Sequence, residues 1–186
     1  MKYLKVNLSL LLLFISGLSL VSCNEDPKKG AIVTTVEETV AVKQQDNPAS
    51  QIISKYLVLK DALVGDNVNA SAQAGEKLLA TLEEFKVDQF KGEKQSKLTQ
   101  ILSSSKASAS QIVKSDIATQ REQFLILSQN MIDLVGITGA TQKLYQQHCP
   151  MYNNNKGGSW LSAQKEVKNP YFGSSMLNCG VVQREI

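Results

Sequence analysis

Through the middle of the chain, apolar residues recur at intervals of three and four, the spacing that lines side chains up along one face of an α-helix. Four such segments follow one another. In the first, Asn47 is placed to cap and Pro48 suits a first turn, where its missing N–H costs nothing. Ile52, Ile53, Tyr56, Leu57, Leu59, Leu63 and Val64 then make a wide apolar face that Gly65 and Asp66 end. The second segment runs from about Val68 to Phe85 on Ala72, Leu78, Leu79, Leu82 and Phe85, with Gly75 as a weak point inside it. The third, about Gln95 to Val113, is poorer. Leu98, Ile101, Leu102, Ala109, Ile112 and Val113 form a stripe, but Ser103 to Ser110 is rich in serine, whose hydroxyl competes for the backbone. The fourth, about Ile117 to Val135, repeats Phe124, Leu125, Leu127, Ser128, Met131, Leu134 and Val135, which makes Met131 core filling rather than a ligand.

Short turns between these segments predict antiparallel neighbours, and so an all-α fold: an up-down bundle of about four helices. After Gly136 the string TGATQKLYQQ reads as one further helical piece leading to an irregular C-terminal loop. The mature chain has no Gly-x-Gly-x-x-Gly, Walker loop or Gly-x-Ser-x-Gly, and its strand signals are too sparse for a nucleotide-binding or hydrolase sheet.

The N-terminus has a different pattern. Lys2 and Lys5 precede the apolar block LSLLLLFISGLSLV, which ends in Leu20-Val21-Ser22-Cys23 with nothing basic directly behind it. This reads as an export signal over residues 1–22, and the tetrapeptide is similar to a bacterial lipobox. On that reading Cys23 is the first mature residue and carries lipid, and residues 23–47 are a polar tether. Residues 48–186 form the one domain that this length allows, placed in the bacterial cell envelope, on the periplasmic side or the cell surface. The formal net charge of +3 is scattered, with lysines and glutamates alternating on helix faces. Aromatics are too few to interleave with arginine or lysine, which argues against a nucleic-acid partner.

The chemistry gathers in residues 145–182. His148, the only histidine, lies there with Cys149, Met151, Met176 and Cys179. Pro150 keeps Cys149 and Met151 off a helix, and Gly157-Gly158 and Asn169-Pro170 are turn signals that fold the chain back. Thiolate and thioether are soft donors that select Cu(I), whereas methionine is seldom a zinc ligand. The five residues are therefore the expected metal ligands, with Cu(I) the expected ion. One histidine excludes a Cys2His2 finger or a His2Cys blue-copper site within one chain. It also leaves the Cys149 thiol without an independent base, so no enzyme is expected. The alternative is a Cys149–Cys179 disulfide stapling the loop of a protein-interaction domain in an oxidising compartment. Closing a loop of about 30 residues contributes roughly 3.5 kcal/mol. Ordering that loop costs about 1 kcal/mol or more per residue, so burial of Trp160, Leu161, Tyr171 and Phe172 has to supply the rest.

Two resemblances attach to these residues. Tyr145 with His148-Cys149-Pro150-Met151 is similar to the tyrosine-histidine-cysteine-proline-methionine motif of bacterial heavy-metal efflux components, interrupted here by Gln146 and Gln147. The wider pattern includes Gln120-Arg121-Glu122, Phe124, Leu127 and Ser128. It continues through Cys149-Pro150-Met151, Trp160-Leu161-Ser162, Asn169-Pro170-Tyr171-Phe172-Gly173, Met176 and Cys179-Gly180. From about Ser50 to Val182 it resembles the domain-of-unknown-function family numbered 3347. That resemblance implies an envelope lipoprotein associated with metal-efflux adaptors, held at the membrane by its lipid.

The leader reading is checked by metabolic labelling with a fatty-acid analogue. The label is expected on the wild type and absent from Cys23→Ser, and equal labelling of both defeats the reading.

Overall fold

The structure is a computed structural model that describes residues 47–186, so the export signal, Cys23 and nearly all of the tether lie outside the described residues. Four long helices form as the apolar spacing predicts: α1 Ser50–Val64, α2 Val68–Glu84, α3 Glu93–Val113 and α4 Ile117–Thr138. Each packs chiefly against its neighbour in the chain. Asn67 and Asp116 cap α2 and α4, their side-chain oxygens accepting the backbone N–H of Ala70 and Thr119 at 2.9 Å. At α1 the helix begins two residues after Pro48, and Asn47 has a wider role than capping. Its Oδ1 accepts from Ala49 N, while its amide donates to the carbonyls of Thr138 and Gly139 at 2.9 Å, tying the start of α1 to the end of α4.

The serine-rich third helix and Gly75 turn out to serve one purpose. Ser71, Ser105, Ser108 and Gly75 are buried, and a Cβ added at Gly75 would lie 3.0 Å from Ile112 Cγ2. Small residues on α2 and α3 let the two helices approach closely. Ser105 satisfies its buried hydroxyl within its own helix, donating to Ile101 O at 2.6 Å.

The all-α expectation is corrected at the C-terminus. α4 continues through Thr138, but the rest of TGATQKLYQQ is coil and strand, and the predicted irregular loop contains a three-stranded antiparallel sheet. Its strands are β1 Tyr145–Cys149, β2 Gly158–Ser162 and β3 Val181–Glu185, in the order β2-β1-β3. Periodicity could not reveal β1, because the residues it turns inward are Gln147 and Cys149, a polar side chain and a sulfur where an apolar alternation would be sought. Its second partner, β3, is also distant in sequence.

The sheet packs on α4 through aromatic side chains. Tyr56 of α1 stacks on Phe124 of α4 with centroids 5.1 Å apart, Phe124 meets Tyr171 at 5.8 Å, and Tyr171 meets the edge of Trp160 on β2 at 5.7 Å. Trp160, Tyr171 and Leu161 are buried, as expected of a small core, and Phe172 is half-buried against it. The Tyr56 hydroxyl lies at the junction. It shares a 2.8 Å hydrogen bond with Ser128 Oγ and accepts the backbone N–H of Leu161 at 3.1 Å, and its burial pushes its ionisation well above the ordinary tyrosine range.

Removing that hydroxyl strands a buried β2 donor. Tyr56→Phe is expected to cost about 1–3 kcal/mol, read as a lower denaturant midpoint with an unchanged slope. An unchanged midpoint would mean that the Leu161 N–H finds another partner.

Candidate functional site: a thiol pair at the end of the central strand

β1 is the middle strand, and its pleat decides which predicted ligands can meet. Successive side chains point to opposite faces, so Gln147 and Cys149 face the core while His148 faces the other way. Cys149 pairs across β2 with Gly158, and His148 with Ser159. The His148 ring lies against Gly157, and its Nδ1 is 2.9 Å from Ser159 Oγ. His148 and Cys149, adjacent in sequence, are thus separated by the plane of the sheet.

Cys179 arrives from the other end of the chain. Its Sγ is 2.9 Å from Cys149 Sγ, both residues being free thiols, with Cys149 fully buried and Cys179 partly exposed. The hydrogen bond to Cys149, followed by burial, pushes the Cys179 thiol up to about 11. Of the five predicted soft donors, the structure brings these two together. Met151 is 50% exposed, at the edge of a groove of about 680 Å³ lined also by Ile126, Tyr152 and Phe172. Met176 closes a 3-10 turn, Gly173–Met176, whose last carbonyl accepts the Cys179 N–H at 3.0 Å. Among the described residues no group of three or more His, Cys, Asp or Glu side chains converges.

Polar residues that periodicity cannot flag hold Cys179 against Cys149. Asn169 is fully buried. Its Nδ2 donates to Cys179 O at 2.7 Å, its Oδ1 accepts from Tyr171 N at 2.8 Å, and its own N–H donates to Leu177 O at 2.7 Å. Asn-Pro is a turn signal in the sequence, but the reach of this side chain to residue 179 is visible only in three dimensions. Gln147 is buried beside Cys149 on β1, and its amide points at the carbonyls of Gln164, Lys165 and Glu166, the nearest at 2.9 Å. It fixes the chain that returns from β2.

A second clamp joins this region to the helices. Arg121 of α4 donates to Pro170 O at 3.0 Å, to Leu63 O at 3.2 Å and to the Asp66 carboxylate. Asp66 also accepts Ser174 N at 2.9 Å. Gly173 sits between them at φ +55°, where a Cβ would collide with the Asp66 carboxylate, so only glycine closes this turn. Hydrogen bonds from Ser174, followed by that from Arg121, hold the Asp66 carboxyl at about 2.

Residues 52–143 match the model of a family described as Protein of unknown function (DUF3347), which supports assigning the helical part of the chain to that family. The match ends before β1, and with it before the thiol pair. No curated protein and no solved structure matches the chain.

Because the folded Asp66 carboxyl ionises below its unfolded value, its stabilisation is fully present above about pH 4 and disappears as pH falls through about 2. Its side chain is 37% exposed, and solvent screening limits the effect to about 1 kcal/mol or less. Asp66→Asn is therefore expected to be less stable than wild type at pH 7 by that amount, with the two denaturation curves converging as pH falls through about 2 and merging by about pH 1. A gap that persists undiminished at about pH 1 would assign the loss to packing.

Proposed function

We propose that the chain is an envelope-anchored, non-enzymatic domain that holds one soft metal ion, Cu(I) foremost, through Cys149 and Cys179 when both are reduced. The observation that carries this is the approach of the two sulfurs to 2.9 Å, with Cys149 fully buried. The donors present suit the group: two thiols, one fully buried, favour a soft monovalent ion that accepts few ligands over Zn(II), which takes four. A metal–thiolate bond is about 2.3 Å, so the sulfurs must move apart to admit the ion. Met176, three residues before Cys179, is the thioether nearest to it in the chain. His148, across the sheet and beside Ser159, is left out of the ligand set. Such an ion would be cargo for heavy-metal handling or efflux at the membrane that the lipid anchor selects.

A second reading is favoured by the same short approach and by the lack of a third convergent donor among the described residues. In it the pair oxidises to a disulfide that staples the sheet of a protein-interaction domain.

Competition against a Cu(I) chelator separates the two. The reduced chain is expected to show one tight site, lost in the Cys149→Ser, Cys179→Ser variant, weakened less by Met176→Leu, and unchanged in His148→Ala, with much poorer Zn(II) binding. If reduced wild type binds no better than the double variant, the metal reading fails. A mass lighter by two hydrogens in the absence of reductant would then identify the staple.

A further inference from the structure

The two sulfurs of the pair are not equivalent, and their difference assigns them separate chemical roles. Cys149 lies on the inward face of the central strand with no exposed surface, in the same buried layer as Trp160 and Tyr171. Cys179 lies on the turn between the 3-10 segment and β3 and is partly exposed. The main chain of Cys179 is fastened on both sides, its N–H to Met176 O at 3.0 Å and its carbonyl to Asn169 Nδ2 at 2.7 Å. Its outward position is therefore built into the fold. Exchange between a thiol and a disulfide depends on which sulfur the incoming thiolate can reach. Here the approach to Cys179 is open to solvent, whereas an approach to Cys149 has to pass through the core.

We propose that Cys179 is the exchange sulfur of the pair and a site of S-thiolation by external thiols, and that Cys149 reacts only with Cys179. This deepens the reading of Cys149 and Cys179 as a functional pair and rests on it. In the oxidised pair, an external thiolate attacks Cys179 Sγ and a new sulfur–sulfur bond forms. The Cys149–Cys179 bond breaks, and Cys149 leaves with the electron pair and takes up a proton. A second external thiol then attacks the mixed disulfide, freeing Cys179. Two external thiols become one disulfide, and both cysteines end reduced. In the reverse direction, reduced Cys179 attacks an external disulfide and releases one external thiol, and Cys149 then attacks Cys179 Sγ, releases the second external thiol and closes the Cys149–Cys179 bond. Any ligand exchange at a bound soft metal would enter by the same side.

The test is a time course of alkylation of the reduced full chain by N-ethylmaleimide, read at peptide resolution. Cys179 is expected to react faster than Cys149 by about tenfold or more under native conditions, with the difference abolished by denaturant. With oxidised glutathione, Cys149→Ser is expected to accumulate a mixed disulfide at Cys179, while Cys179→Ser leaves Cys149 unmodified until denatured. Equal native rates at the two cysteines, or native modification of Cys149 in Cys179→Ser, would overturn the assignment. Where a serine variant loses its helical circular dichroism, the wild-type time course decides alone. Cu(I) binding accompanied by equal labelling rates would refute this inference and leave the proposed function standing. Selective labelling of Cys179 without Cu(I) binding would do the opposite.

Discussion

The buried hydroxyl of Tyr56 is the interaction on which the two parts of the domain depend. It is the polar point where α1, α4 and β2 meet, and the rings around it, from Phe124 to Tyr171 and Trp160, form one continuous apolar layer. Three strands alone are marginal in water. This sheet persists because β2 packs on α4 through the aromatic layer that Phe124 joins, while α4 also packs against α3. The small residues of α2 and α3 have the complementary effect of drawing those helices close together.

The same layer determines the character of the thiol pair. Cys149 belongs to a strand whose hydrogen bonds run to neighbours on both sides, so its sulfur is held at a fixed depth. Cys179 is held by side chains that reach in from elsewhere, Asn169 directly and the Arg121–Asp66 pair through the Gly173 turn. One sulfur is thus carried by secondary structure and the other by a polar network. That division leaves Cys179 near the surface and Cys149 in the core. The raised ionisation of Cys179 keeps it protonated at neutral pH, so access and not thiolate character singles it out as the exchange sulfur.

Much of this was legible in the chain. Helix positions follow from three-four spacing because each helix satisfies its own backbone and needs only one apolar stripe to find its neighbours. The concentration of sulfur in residues 145–182 and the packing role of Trp160, Leu161 and Tyr171 were legible too, since composition alone marks them. What the pattern hid were the polar residues that organise the C-terminal part: Gln147, Asn169, Arg121 and Asp66. Each reaches at least one partner ten or more residues away, and each looks like an ordinary surface or turn residue until that partner is known.

The sequence by itself determined the four helices and the residue types available for soft-ligand chemistry, because local periodicity and side-chain identity are properties of the chain. The tertiary structure decided which of those residues meet. A strand alternates its side chains between two faces, so placing Tyr145–Cys149 in the middle of a sheet separates His148 from Cys149 although the two are adjacent in sequence. The long return through the Asn169 turn brings Cys179 to Cys149 from 30 residues away. The contacts that decide this placement, β1 with β3 and Asp66 with Ser174 among them, join residues that no short window of sequence contains together.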